Sequence, residues 1–429
     1  MSTIARGTAI NLATRVLAMG LGVALTVITA RLGTREQGMF AIFAALESAL
    51  LALGSGFGVL IARRISHHRE RPAALVGAVV VACIACGAIA ALALAALALH
   101  SGPDYGFLAV LAWGAPLLLL APNLLGIWLG IGRMEAMARV TLATPLLTLS
   151  AVGAVLTLRG EVGLPAVLWC WVAARSIVGI ATLGVAWRGG WVGSPSAGGL
   201  GIHWRFVAVI GMANLIGLLN YKVDLFLVER LIDLSTTGVY SVAVLVAELL
   251  WVVSTSVSQA AYARIGTPDP SEASRVTLRA MHASLIALAL LSVPLWLLAA
   301  WLLPLLLGAA YAAAMPALAI LLPGVVVYGA ASALSAYFTN HAGRPYVPAS
   351  IAAMSLVSTV AFSLLLVPAW GMLGAATATT VSYIGSVAVA AMVFSWMSEL
   401  PLRHVVRPDW QALKGDFGHL RALVTWPKS

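Results

Sequence analysis

Twelve stretches of this chain are apolar over about 20 residues or more, and short polar connections separate each from the next. At a rise of about 1.5 Å per residue, a helix of about 20 residues crosses the hydrocarbon core of a bilayer. The runs predict helices at 9–30, 38–61, 74–99, 106–130, 139–158 and 164–187, then at 205–229, 237–262, 281–303, 314–339, 346–368 and 372–396. Water is excluded as the solvent for most of this surface. Only 9% of the 429 residues are charged, whereas a soluble domain carries about a quarter. The expected class is all-α: a polytopic membrane protein with about 12 transmembrane helices in two pseudo-repeated six-helix bundles around a central cavity.

The formal net charge of +10 does not indicate nucleic acid, because the basic residues form no single patch. Of the 25 Lys and Arg, 18 fall in the tails and in the connections after helices 2, 4, 6, 8 and 10. The densest group runs from Arg63 to Arg71. The opposite loops hold only Arg31, Arg35, Arg159 and Arg230. Positively charged loops stay in the cytoplasm, so both termini are expected there, in a multi-pass protein of the cytoplasmic membrane. Arg6 and Arg15 before the first apolar run give it the look of a signal sequence, but further apolar runs follow at once. A retained signal anchor is the expected reading. Cys83, Cys86 and Cys170 all lie in apolar segments and are expected to pack as small hydrophobes.

The halves repeat each other. Placing Gly38 over Gly238 brings Phe40 onto Tyr240, Arg64 onto Arg264 and Ile65 onto Ile265. Gly132-Arg133 closes helix 4 as Gly343-Arg344 closes helix 10. The expected organisation is an N-terminal bundle over 1–190, a cytoplasmic linker over 191–203, a C-terminal bundle over 204–398 and a cytoplasmic amphipathic tail over 399–429. In the tail, Trp410, Leu413, Phe417, Leu420 and Val424 recur at helical spacing, with Lys414, Arg421 and Lys428 among or after them, as on a helix lying on an anionic leaflet. Asp269-Pro270-Ser271-Glu272 reads as a helix start that extends helix 9 beyond the membrane.

Function must come from polar groups within the spans. Six ionisable residues fall there: Arg15, Glu47, Arg175, Lys222, Asp224 and Glu248. Facing lipid, six such charges would cost about 15–20 kcal/mol on insertion scales. They must therefore face a wet cavity, pair with one another, or lie near an interface. Asn11 and Arg15 are four apart on helix 1. Asn214, Asn220, Lys222 and Asp224 occupy about half the circumference of helix 7. Ser241, Glu248, Thr255 and Gln259 form one stripe on helix 8, and Tyr328, Ser332, Ser335 and Thr339 another on helix 10. Stripes of Ser and Thr also serve ordinary interhelical packing. Trp113, Trp128, Trp171 and Trp251 offer aromatic faces, and Trp187, Trp191 and Trp204 fit the boundary belt.

The segment from Ala30 to Ala41, with Leu53-Gly54-Ser55-Gly56-Phe57-Gly58, Asp224, Gly238-Val239-Tyr240-Ser241-Val242-Ala243 and Gly371-Met372-Leu373-Gly374-Ala375-Ala376, resembles the Wzx-like flippases of polysaccharide biosynthesis. These belong to the multidrug/oligosaccharidyl-lipid/polysaccharide exporter superfamily. The resemblance implies two six-helix lobes, a cationic cavity and alternating access. It also implies a polyprenyl-diphosphate-linked oligosaccharide as cargo, moved from the cytoplasmic to the periplasmic leaflet for O-antigen, capsule or exopolysaccharide assembly. Two departures stand out: helix 8 ends at Ala260-Ala261-Tyr262-Ala263-Arg264 without a proline, and helix 7 has Lys222 where an Arg is expected.

A diphosphate calls for Arg or Lys, so Arg15, Arg175 and Lys222, with Asn11, Asn214 and Asn220, are the candidate substrate-binding residues. Glu47, Asp224 and Glu248 are candidates for coupling or gating. Membrane lipids and other polysaccharide-assembly proteins are the further expected partners. No cofactor or metal is expected, and H⁺ or Na⁺ is a candidate coupling ion. A MATE-like cation antiporter is the first alternative, with one of these carboxylates exchanging a proton or Na⁺. A membrane polymerase or ligase is the second, although every outward loop is short. A P-loop is absent from the sequence, and no enzyme activity is expected.

Overall fold

A computed structural model describes residues 3–195, 201 and 203–407, with the side chains of 3–9, 11, 12, 103 and 263 outside the description. Among the described residues, twelve helices are long and apolar enough to cross a membrane. Spans 1–6 are Ala13–Leu32, Thr34–Ser66, Ala73–Ser101, Phe107–Gly130, Met134–Arg159 and Leu164–Arg188. Spans 7–12 are Trp204–Leu231, Leu234–Tyr262, Pro270–Leu307, Ala309–His341, Tyr346–Trp370 and Met372–Ser398. The chain is an all-α polytopic membrane protein. Large apolar side chains such as Leu92, Leu99, Trp113 and Leu365 stand exposed on it, as lipid-facing side chains do. The residues fall into two units, one up to Leu219 and one from Asn220 on.

In the first unit, spans 2 and 4 are each broken near their middle. Span 2 is helical over Thr34–Gly54 and again over Gly56–Ser66, with Ser55 between. Span 4 runs Phe107–Leu118, then Leu120–Gly130. The second break follows from Pro122, which has no N–H for the carbonyl four residues earlier. Asn123 donates its amide to the Leu119 carbonyl at 2.8 Å and accepts the Gly58 backbone N–H at 2.8 Å. It thus ties the break in span 4 to the break in span 2. At the crossing, a Cβ on Gly126 would run into the Gly58 carbonyl, so the two backbones touch because Gly126 has no side chain. Around this crossing lies a core of Phe57, Leu60, Ile61, Leu124, Ile127 and Val79.

The second unit repeats the plan. Span 8 is helical over Leu234–Glu248 and Trp251–Ile265, with Leu249 and Leu250 between. Span 10 passes from helix over Ala314–Ala330 to a short turn at Ser332–Ala336 and a π-turn at Tyr337–His341. Spans 2 and 8 begin at Thr34 and Leu234. Near their far ends Arg64 pairs with Glu70 at 3.2 Å and Arg264 with Glu272 at 3.4 Å. The offset of 200 is therefore structural. Breaking span 8 was not expected, and it interrupts the stripe drawn through Ser241, Glu248, Thr255 and Gln259, because Glu248 is the last residue of its helix.

Span 9 is one helix of 38 residues, starting as its sequence indicates: Asp269 accepts the Ser271 N–H at 2.9 Å, and Pro270 occupies the first turn. The hydroxyl and backbone N–H of Ser271 hold the Asp269 carboxyl below the usual carboxylate range. After span 12, Glu399 turns the chain with φ 56° and Leu402–Val406 forms a short helix. Residues 196–200 and 202 of the expected linker, and the expected tail helix around Trp410 to Val424, lie outside the described residues. Cys83 is buried, whereas Cys86 is exposed.

Candidate functional site

The intramembrane charges of the first unit meet in one pair. Glu47 lies on span 2, two turns before the break at Ser55, and Arg175 lies in the middle of span 6. Arg175 Nε is 2.6 Å from Glu47 Oε1. Trp171, one turn before Arg175, donates its indole N–H to Glu47 Oε2 at 2.9 Å. The guanidinium sits over the same indole, 4.7 Å from the ring centroid, and Phe40 closes on Trp171 edge-on at 5.5 Å. Glu47 is 1% exposed and Arg175 25%. The carboxylate is thus enclosed, and the cation is the partner that reaches open space.

That space is a cavity of about 310 Å³, and the second unit holds a separate one of about 410 Å³. The first-unit cavity is lined by Trp171 and Arg175 from span 6, by Pro122 from span 4, and by Thr141, Thr144 and Thr148 along span 5. A threonine every three or four residues places hydroxyls on one helical face. The wall opposite is apolar, with Leu21 and Leu25 of span 1.

In the second unit Lys222 Nζ lies 2.9 Å from both oxygens of Glu248. Both side chains remain partly open, at 24% and 21%. Asp224, two residues along, points away from Lys222 into the core. It accepts the Tyr240 hydroxyl at 2.7 Å, the Thr379 hydroxyl at 3.1 Å and the Leu225 N–H at 2.9 Å. Asn220 is buried, its side-chain amide donates to Tyr328 at 3.1 Å, and its backbone carbonyl accepts the Tyr383 hydroxyl at 3.1 Å. Tyr328 stacks on Tyr383 at 4.4 Å, and Tyr221 lies 4.8 Å from Trp251. Tyr221, Trp251, Tyr328, Ser332 and Ser335 line the larger cavity. Three members of the stripe read on span 10 therefore face one space.

The nine candidate residues thus have unlike surroundings. Four of the six ionisable ones form two ion pairs, each joining a residue expected to hold substrate to one expected to couple or gate. Arg15 is exposed and forms no ion pair among the described residues. Asn214 is exposed and donates to Ser55 Oγ at 2.7 Å, beside the break in span 2. The side chain of Asn11 lies outside the described residues. Trp171 and Trp251 line cavities, whereas Trp113 is 77% exposed and Trp128 is buried. Sequence reasoning missed Asn123, Tyr240, Thr379 and Tyr383. Asn123 carried a usable signal, being an amide next to a proline in an apolar run. Among the described residues, no group of His, Cys, Asp and Glu is placed to hold a metal ion.

No family model and no curated protein matches this chain. Solved structures do share its fold. An inward-facing multidrug resistance MATE family transporter of the MOP superfamily aligns with a TM-score of 0.75 at 15% identity, over 91% of this chain and 96% of that one. The lipid II flippase MurJ, in an inward closed conformation, aligns with a TM-score of 0.73 at 12% identity, over 99% of this chain and 93% of that one. A MOP superfamily transporter from Pyrococcus furiosus, described as having a binding pocket of reversed polarity, aligns with a TM-score of 0.61 at 14% identity, over 95% and 96%. At these identities the likeness is one of fold.

Proposed function

We propose that this chain is a transporter of the bacterial inner membrane that moves a polyprenyl-diphosphate-linked oligosaccharide from the cytoplasmic to the periplasmic leaflet by alternating access. The observation that carries the reading is the asymmetry of the Glu47–Arg175 pair. The carboxylate is closed off and the guanidinium lines a cavity beside an indole and three threonines. An anionic group entering that cavity meets a cation first. Guanidinium matches diphosphate oxygens in geometry, and a glycan, which keeps its hydration, suits hydroxyls and aromatic faces. Arg15 adds uncompensated positive charge on span 1. The fold shared with a lipid II flippase adds support. On this reading both termini are cytoplasmic, and the protein works beside other polysaccharide-assembly proteins.

The test is genetic and chemical. Cells lacking the gene should accumulate a complete lipid-linked repeat unit in the cytoplasmic leaflet. Complementation should fall at least about tenfold with Arg15→Gln or Lys222→Gln and less with Glu248→Gln, because loss of a cation weakens an anionic cargo more than loss of an acid. Normal glycan export in the deletion strain overturns the proposal.

A second reading, a cation antiporter coupled to H⁺ or Na⁺, draws on the fold shared with a multidrug transporter and on the carboxylates Glu47, Asp224 and Glu248. It reverses the order of the variants. Loss of Glu248 would then be the most damaging, and the deletion strain would become sensitive to cationic dyes.

A further inference from the structure

Span 9 is far longer than a bilayer needs. Its 38 residues extend about 57 Å, against about 30 Å of hydrocarbon, so several turns stand beyond the core. The turns at its Pro270 end carry Ser271, Arg275, Leu278, Arg279 and His282 along one face. Folded against that face is the segment after span 12. His282, itself 4% exposed, donates a ring N–H to the Val405 carbonyl at 2.8 Å, and Val405 is fully buried. This contact holds the segment that carries His404 and Arg407 against span 9.

Between the two segments lies a cavity of about 540 Å³, lined by Arg275, Arg279, His404 and Arg407, with Leu278 and Leu400 supplying apolar wall. Its size falls in the ordinary range for ligand pockets, about 300–1,000 Å³. Of the acids near it, Glu272 pairs with Arg264 and Asp269 accepts from Ser271, while Glu399, between the lining residues Ser398 and Leu400, is exposed and is not itself part of the lining. Among the described residues, Arg275, Arg279 and Arg407 form no ion pair. Three arginines line one recess with a partly apolar wall, at the level where a helix leaves the bilayer. The buried His–carbonyl contact holds together the two segments that carry them.

We infer that this recess binds the phosphate headgroup of an anionic phospholipid, with Arg275, Arg279 and Arg407 on the phosphate and the Leu278–Leu400 wall against the glycerol and first methylenes. The site shares no lining residue with the cavity of Trp171 and Arg175 and does not depend on what is transported. A free phosphate offers the same oxygens without the apolar portion, so the two ligands separate experimentally.

The full-length protein, purified in neutral detergent, is titrated with phosphatidylglycerol, with phosphatidylcholine and with inorganic phosphate, and retained lipid is read by native mass spectrometry. One phosphatidylglycerol should be retained in preference to phosphatidylcholine. Arg275→Gln/Arg279→Gln should weaken retention about thirtyfold, the loss of two basic contacts at a membrane surface. Arg407→Gln, on the opposite wall, should weaken it as well. Arg403→Gln, outside the recess, should match the wild type. Each variant must keep the wild-type elution profile and thermal midpoint. Equal retention by the double variant overturns the inference. So does saturation by inorganic phosphate at concentrations that leave no phosphatidylglycerol bound.

Discussion

Arg175 and Glu47 sit 2.6 Å apart in the middle of the first unit, yet only the arginine is open to the neighbouring cavity. The indole of Trp171 serves both, donating to the carboxylate and lying under the guanidinium. Arg175→Gln should leave an enclosed carboxylate without its counter-charge and destabilise the protein by about 3 kcal/mol. Glu47→Gln should cost less, because the guanidinium it leaves unpaired reaches the cavity. The double variant should recover part of the loss, since two neutral amides carry no unpaired charge. Thermal unfolding in detergent across the four proteins measures the coupling. Additive losses would show that the pair contributes nothing as a pair.

Asp224 is a hub of hydroxyl contacts. Asp224→Ala would leave the Tyr240 and Thr379 hydroxyls without their acceptor in a closed core, at a cost of about 2–3 kcal/mol. Asp224→Asn keeps one carbonyl acceptor and should retain most of that stability. If transport also survives in Asp224→Asn, the residue holds the second unit together and does not exchange a proton. Parallel assays of melting temperature and export distinguish the two roles.

Glycine positions divide sharply. Gly126→Leu forces a side chain into the Gly58 backbone and should lower stability by about 1–3 kcal/mol or more. Gly153→Ala meets nothing within 4 Å, in the interior of span 5, and should raise stability by about 0.5–1 kcal/mol through helix propensity. Equal effects of the two variants on melting temperature would contradict the packed crossing of spans 2 and 4.

The orientation expected from the loop charges is open to direct labelling. With the three native cysteines replaced, His68→Cys should react with an impermeant thiol reagent only from the cytoplasmic side. Asp104→Cys and Glu161→Cys should react only from outside. All three are exposed in loops or turns, so access is limited by the membrane alone. Labelling of His68→Cys in intact cells would invert the topology.

Several features were legible before any coordinates. Runs of about 20 apolar residues announce helices because hydrocarbon cannot satisfy a bare backbone. The start of span 9 was readable from Asp269 and Pro270, whose capping chemistry is local. The repeat was readable from Gly38 and Gly238, and from Arg64 and Arg264. Helix ends were less legible. Span 2 runs to Ser66, beyond the apolar stretch ending near residue 61, because hydrogen bonds continue past the point where lipid demands them. The break at Ser55 gave no clear sign, since its cause, the Gly58 N–H turning to Asn123, involves another span.

By itself the sequence determined the solvent, the number of crossings, the expected sidedness and the presence of charges that lipid would reject. Each of these depends on composition along a short window, where neighbours in the chain are neighbours in space. Only the tertiary structure decided how those charges were neutralised: Glu47 with Arg175, Lys222 with Glu248, and Asp224 among hydroxyls. Those pairings join different spans, and helical periodicity fixes which face a residue occupies but not which helix lies against it. Electrostatic cost required each charge to find a partner or a wet surface. Packing chose the partner, and left the arginine, not the glutamate, facing the cavity.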